Sequence, residues 1–186
     1  MINSWDIGSV RGIKLRVHWT FLLIPLWIFA SAISSGMGLA SAITSLLFII
    51  AIFGCVLLHE LGHAFAAQQF GISTRDITLL PIGGVAALER IPRAPLQELW
   101  IVAAGPLVNV VIALMIFAIQ VMGAPGNSAA YQFFYQLMIA NVALVLFNLI
   151  PAFPMDGGRI FRSLLALKLR YLTATLIATR IGQFCA

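Results

Sequence analysis

The sequence predicts an all-α polytopic membrane protein with about four complete transmembrane helices, the start of a further one, and a short β-rich segment between the second and third. Three observations carry that prediction. Of 186 residues, 61% are hydrophobic and only 9% are charged, whereas a soluble domain carries about 25% charged residues. The mean hydropathy is +1.02, and the apolar residues fall in runs of the length a bilayer span requires, roughly 20 residues of helix. The charges are also segregated. Basic residues cluster at Arg11, Lys14 and Arg16, at Arg75, Arg90 and Arg93, and at Arg159, Arg162, Lys168, Arg170 and Arg180, while the loops 34–38 and 123–128 carry none. Under the positive-inside rule every cluster lies on one, cytoplasmic, side. The same pattern excludes nucleic acid as a partner of the net +5 charge, because the clusters lack interleaved aromatic stacking surfaces.

Each element follows in order. Residues 1–16, with Trp5, read as a short amphipathic lead-in, and Trp19 marks the membrane interface. Span one covers 17–34, with Pro25 as a candidate kink. It has no signal cleavage site and is long enough to stay in the membrane. Span two runs from Leu39 to about Phe70. At about 1.5 Å per residue it exceeds the roughly 30 Å hydrocarbon layer, so it tilts or protrudes. Gly71 stands where a helix C-cap belongs.

In 72–91, β-branched residues surround Pro81 and the Gly83-Gly84 pair. That pattern fits two short strands with a bend, and equally an interfacial connecting loop. Spans three and four cover 96–122 and 131–150. A Pro- and Gly-rich turn from Pro151 to Gly158 leads into a short basic surface helix, 159–170. The segment 171–179 is too short to cross a bilayer and reads as the lead into a further span beyond Ala186.

The chemistry-bearing motif is His59-Glu60-Leu61-Gly62-His63, at the end of the apolar run 39–58. Ionisable residues at membrane depth are costly, so their presence calls for a chemical role. Helical spacing puts both imidazoles on one face, able to share a metal ion, with Glu60 beside them to act on a metal-activated water. A catalytic zinc takes a third protein ligand. The carboxylates available are Asp6, Asp76, Glu89, Glu98 and Asp156. Asp156 stands out because Pro154, Gly157 and Gly158 fix a sharp turn at the mouth of span four, and the competing reading makes it the cap of the next helix.

Two cysteines give no disulfide framework. Cys55, one turn before His59, reads as a small buried hydrophobe rather than a fourth ligand. His18, beside Trp19, reads as interfacial. Asn109 and Asn148 are the embedded amides placed to act as oxyanion donors. A helix–helix hydrogen bond is the favoured reading for Asn109, both readings stand for Asn148, and Asn141 reads as a packing amide.

Three separated motifs carry a resemblance over nearly the whole chain: His-Glu-Leu-Gly-His at 59–63, Gly-Pro-Leu-Val-Asn at 105–109, and Asn-Leu-Ile-Pro-Ala-Phe-Pro-Met-Asp-Gly-Gly-Arg at 148–159. Together with Val17-His18-Trp19 and Gly83-Gly84 they resemble the site-2 protease family of intramembrane zinc metalloproteases. The resemblance implies that residues 1–186 form a single membrane-embedded metalloprotease core that continues past its C-terminal end. It further implies one Zn2+ held by His59, His63 and Asp156, with Glu60 as catalytic base. The implied partners are the lipid bilayer and a protein substrate cut within its transmembrane segment, often a membrane-tethered regulator. The implied location is a prokaryotic inner membrane, with the site toward the cytoplasm. Residues 72–95 leave no room for a PDZ domain, which resembles the compact branch whose members often carry C-terminal CBS domains. The rival reading is a metal-binding transporter or an inactive regulator.

Overall fold

The computed structural model describes residues 4–36, 38–90, 92, 94–123, 126 and 128–185, without the side chain of Cys185. Expectations that touch residues 1–3, Ile91, Arg93 and parts of the two uncharged loops lie to that extent outside the described residues. The chain is mostly helical, with one four-stranded sheet. Three helices are long and apolar enough to cross a membrane: α2 (Leu39–Gln69), α3 (Pro95–Gly123) and α4 (Ala129–Asn148). The expected first span is shorter. A 3-10 turn, Trp19–Leu22, leads into α1 (Leu23–Ser34), an apolar helix of Trp19–Ser34 below the length of a full span. Pro25 lies in its first turn, where the ring costs no hydrogen bond.

The amphipathic lead-in is a correction. Ser4–Val10 and Ile13–His18 are strands β1 and β2, paired antiparallel. Arg11 and Gly12 both have positive φ, 48° and 82°, the geometry of a two-residue hairpin turn matched to strand twist. Ile13 and Leu15 are buried and alternate with the outward Lys14 and Arg16. That period of two was legible beneath the basic cluster. The all-α expectation therefore gives way to a mixed fold in which β2 pairs in parallel with β3 (Thr74–Leu80), and β3 in antiparallel with β4 (Gly83–Leu88). Two strands in 72–91 are as expected.

The sheet exists because α2 offers it a face. Ile13, Leu15 and Ile77 pack on Leu61 and Ala64 of α2, with Leu57, Phe65 and Ala86 around them. On its outer surface Arg16 reaches Asp6 at 2.7 Å and Asp76 at 3.5 Å, joining three strands. Nearer the middle of α2, Cys55, Ile116 and Leu137 form a second cluster joining α2, α3 and α4. Close approach of α2 and α3 depends on Gly62, where a Cβ would lie 2.8 Å from the Ala104 carbonyl oxygen. Beyond α4 come α5 (Asp156–Ala166) and α6 (Tyr171–Cys185). The sheet, the C-terminal half of α2, the N-terminal half of α3 and the start of α5 thus gather at one end of the bundle.

Candidate metal centre

His59 and His63, one turn apart on α2, meet Asp156 from the first turn of α5. The two Nε2 atoms are 3.1 Å apart, and Asp156 Oδ2 lies 3.0 Å from His59 Nε2 and 3.1 Å from His63 Nε2. All three residues are buried, and among the described residues they form the one histidine, cysteine and carboxylate group close enough to hold a metal ion.

Hydrogen bonding fixes what those atoms are. The Ile101 carbonyl can only accept, so His63 Nδ1–H donates to it at 2.8 Å. The Leu137 carbonyl likewise takes Asn141 Nδ2 at 2.8 Å, which turns Asn141 Oδ1 toward Asn109 Nδ2 at 3.1 Å. Asn109 Oδ1 is then left to accept from His59 Nδ1–H at 2.9 Å. With both Nδ1 hydrogens committed, both Nε2 atoms are lone pairs. Three electron-rich atoms converging at about 3 Å repel one another unless a cation lies between them. A tetrahedral ion with bonds of about 2.0–2.1 Å spaces its ligand atoms by about 3.3 Å, so the donor set fits zinc.

The remaining candidates are accounted for one by one. Asp156 is not the helix cap, since that position is Met155. Asp6 and Asp76 are engaged by Arg16, Glu98 is engaged by Arg162, and Glu89 is exposed on the surface. His18 caps the 3-10 turn, its Nδ1 2.7 Å from Thr20 Oγ1. Cys55 lies outside the group, its Sγ accepting from Asn141 Nδ2 at 3.4 Å. Asn148 is half-buried at the end of α4, and its amide donates to the Leu144 carbonyl of the same helix at 2.9 Å. Glu60 lies under β4, where a Cβ on Gly84 would come within 2.5 Å of Glu60 Cγ.

Three supporting roles at this site, those of Asn109, Asn141 and Gly105, are not legible in the sequence. Asn109 does join helices, but its bond to His59 orients an imidazole as well, and Asn141 fixes the polarity of that bond. Gly105 supplies the room, because a Cβ there would collide with Nε2 of both histidines. The only sequence signal was their place in the 105–109 motif and in span four. Asn109→Leu strands the His59 Nδ1–H and one Asn141 bond. Metal affinity is expected to fall by roughly 10–100-fold, read by competition with a chelating dye, and an unchanged affinity counts against the relay.

Residues 47–126 and 123–186 match the model of peptidase family M50. The chain belongs to that family, the site-2 proteases. It is 41% identical, over its full length, to a zinc metalloprotease of Methanocaldococcus jannaschii, covering 52% of that protein. It is 32% identical to the stage IV sporulation protein FB of Bacillus subtilis over 80% of this chain and 46% of that one. The chain thus spans about half the length of the curated relatives it matches. A solved site-2 protease structure from Methanocaldococcus jannaschii is 39% identical and superposes with a TM-score of 0.72, covering 98% of this chain and 81% of that one. Between β4 and α3 lies only a short connection, so no PDZ domain interrupts this M50 member among the described residues.

Proposed function

We propose that this M50 peptidase is an intramembrane zinc endopeptidase that hydrolyses peptide bonds within the transmembrane segments of membrane-tethered regulatory proteins. The observation that carries the reading is the buried triangle of His59 Nε2, His63 Nε2 and Asp156 Oδ2, with Glu60 adjoining and the relatives being zinc metalloproteases. One Zn2+ per chain is held by these three residues. When bound, zinc supplies Lewis acidity, which acidifies water and polarises a carbonyl.

The protein's own groups do the rest. The Glu60 carboxylate takes a proton from the attacking water and returns it to the leaving amine. Asn109 and the Ile101 carbonyl hold the two imidazoles in their metal-binding tautomer. Asn148 serves as the oxyanion donor once its amide leaves the Leu144 carbonyl. The site faces the cytoplasmic side of a prokaryotic inner membrane, the side on which the basic clusters fall.

A helical peptide bond is shielded by its own hydrogen bonds, so the substrate is cut in extended form. β4 is the end strand of the sheet, paired only with β3, and its backbone runs against Glu60. An extended substrate pairing with β4 brings its peptide bonds to the site. The test uses the protein in proteoliposomes with a single-span substrate. Cleavage within the span that stops on chelation and returns with zinc is expected. Cleavage only outside the span contradicts the reading. Gly84→Leu pushes on Glu60 and obstructs the β4 edge. Turnover at least about tenfold slower with zinc retained is the expected result, and unchanged turnover removes the strand-pairing step.

A further inference from the structure

Glu98, in the first turn of α3, is fully buried yet takes no part in the metal centre. Its Oε1 accepts a hydrogen bond from Arg162 Nη2, and Arg159 Nε lies 3.9 Å from the same oxygen. The Arg162 guanidinium also stacks over Phe153, at 5.4 Å, and Tyr171, at 5.2 Å. One side chain therefore ties α3, the turn before α5, and α6 together. Glu98 Oε2 and Arg162 Nε find no hydrogen-bond partner among the described residues, so removal of Arg162 leaves the buried carboxylate only the more distant Arg159.

This clamp is mechanically joined to the metal centre. On α5, Arg159 lies one turn from Asp156 and Arg162 one turn from Arg159, so the clamp sits within two turns of Asp156 on the same helix. Its start is seated without side chains: a Cβ at Gly157 would collide with the Leu149 and Ile150 carbonyl oxygens, and one at Gly158 would lie 2.8 Å from the Ala152 carbonyl carbon. The glycines let the first turn approach, but they offer nothing polar to fix how α5 lies along α3. The Glu98–Arg162 pair supplies that fixing, about two turns from Asp156. Such a pair is a costly way to stabilise a fold and a specific way to set a register.

We infer that Glu98 is a positioning residue of the metal centre: clamped by Arg162, it sets α5 so that Asp156 reaches the histidine pair. The inference rests on the metal-site reading above.

The test is a double-mutant cycle on zinc affinity, measured by chelator competition on the full chain, with Glu98→Gln, Asp156→Ala and both together. The absorption spectrum of the Co2+-loaded protein supplies a second readout. Glu98→Gln is expected to weaken zinc roughly 10–100-fold, as loss of an outer-shell support does. It is expected to weaken nothing further in the Asp156→Ala background, and its Co2+ spectrum to shift toward that of Asp156→Ala. Wild-type affinity in Glu98→Gln, or an equal loss in both backgrounds, overturns the inference and leaves the metal site standing. Wild-type affinity in Asp156→Ala overturns the metal-site reading and this inference with it. If Glu98→Gln does not fold, Arg162→Lys carries the same cycle with the buried carboxylate still paired. A smaller, Asp156-dependent loss is then expected, and an unchanged affinity overturns the inference.

Discussion

Glu60→Gln is expected to remove peptide hydrolysis while the protein keeps its zinc. The substitution preserves the shape that fits beneath Gly84 and removes only the ability to accept a proton. Glu60 is not among the three converging donors, so metal affinity has no reason to change. General acid–base catalysis contributes about 10²–10⁴-fold, and the rate constant for cleavage is expected to fall by about that factor. The measurement is single-turnover cleavage of a membrane-spanning substrate beside zinc analysis of the same preparation. Loss of zinc together with activity contradicts the assignment, because Glu60 would then be a ligand or a structural support. Metal transport, by contrast, needs no proton acceptor at Glu60, so transport that persists in the variant would favour a transporter.

Gly105→Ala is expected to empty the metal centre with all three donors in place. The added Cβ would collide with Nε2 of both His59 and His63, the atoms whose lone pairs converge on Asp156. The rings have little freedom to move aside, since their Nδ1 hydrogens are bonded to Asn109 and Ile101. Either the rings turn and lose those bonds or α3 moves off α2, where Gly62 allows close contact with Ala104. Both responses cost zinc, at least about 100-fold in affinity, the upper end of what outer-shell changes produce. The same volume added at Gly54, where a Cβ meets nothing within 4 Å, is expected to leave zinc unchanged. Equal affinity in the two variants contradicts the geometry described for Gly105.

How far the sequence revealed this site depended on the kind of signal each residue carries. His59 and His63 declare themselves by helical spacing inside an apolar run. Asp156 was separable from the other carboxylates only by the sharp turn around it. In the structure the rest are engaged by Arg16 and Arg162 or exposed. The long apolar helices α2, α3 and α4 were legible because a bilayer demands length and composition together. The β1–β2 hairpin is masked in the sequence, because Lys14 and Arg16 serve equally well as a positive-inside cluster and as the outer face of a strand. The parallel pairing of β2 with β3 joins segments about 60 residues apart, and no local pattern announces it. The Asn141–Asn109–His59 relay and the Glu98–Arg162 clamp are contacts between distant segments, so their residue types could be noticed but not their partners.

Zinc content of the purified protein, compared with that of Asp156→Ala, tests the central claim most directly. The account predicts about one zinc per chain, lost or strongly weakened when Asp156 is removed, because a catalytic site takes three protein ligands. Zinc bound as tightly without Asp156, or a wild-type protein that binds none, would contradict it.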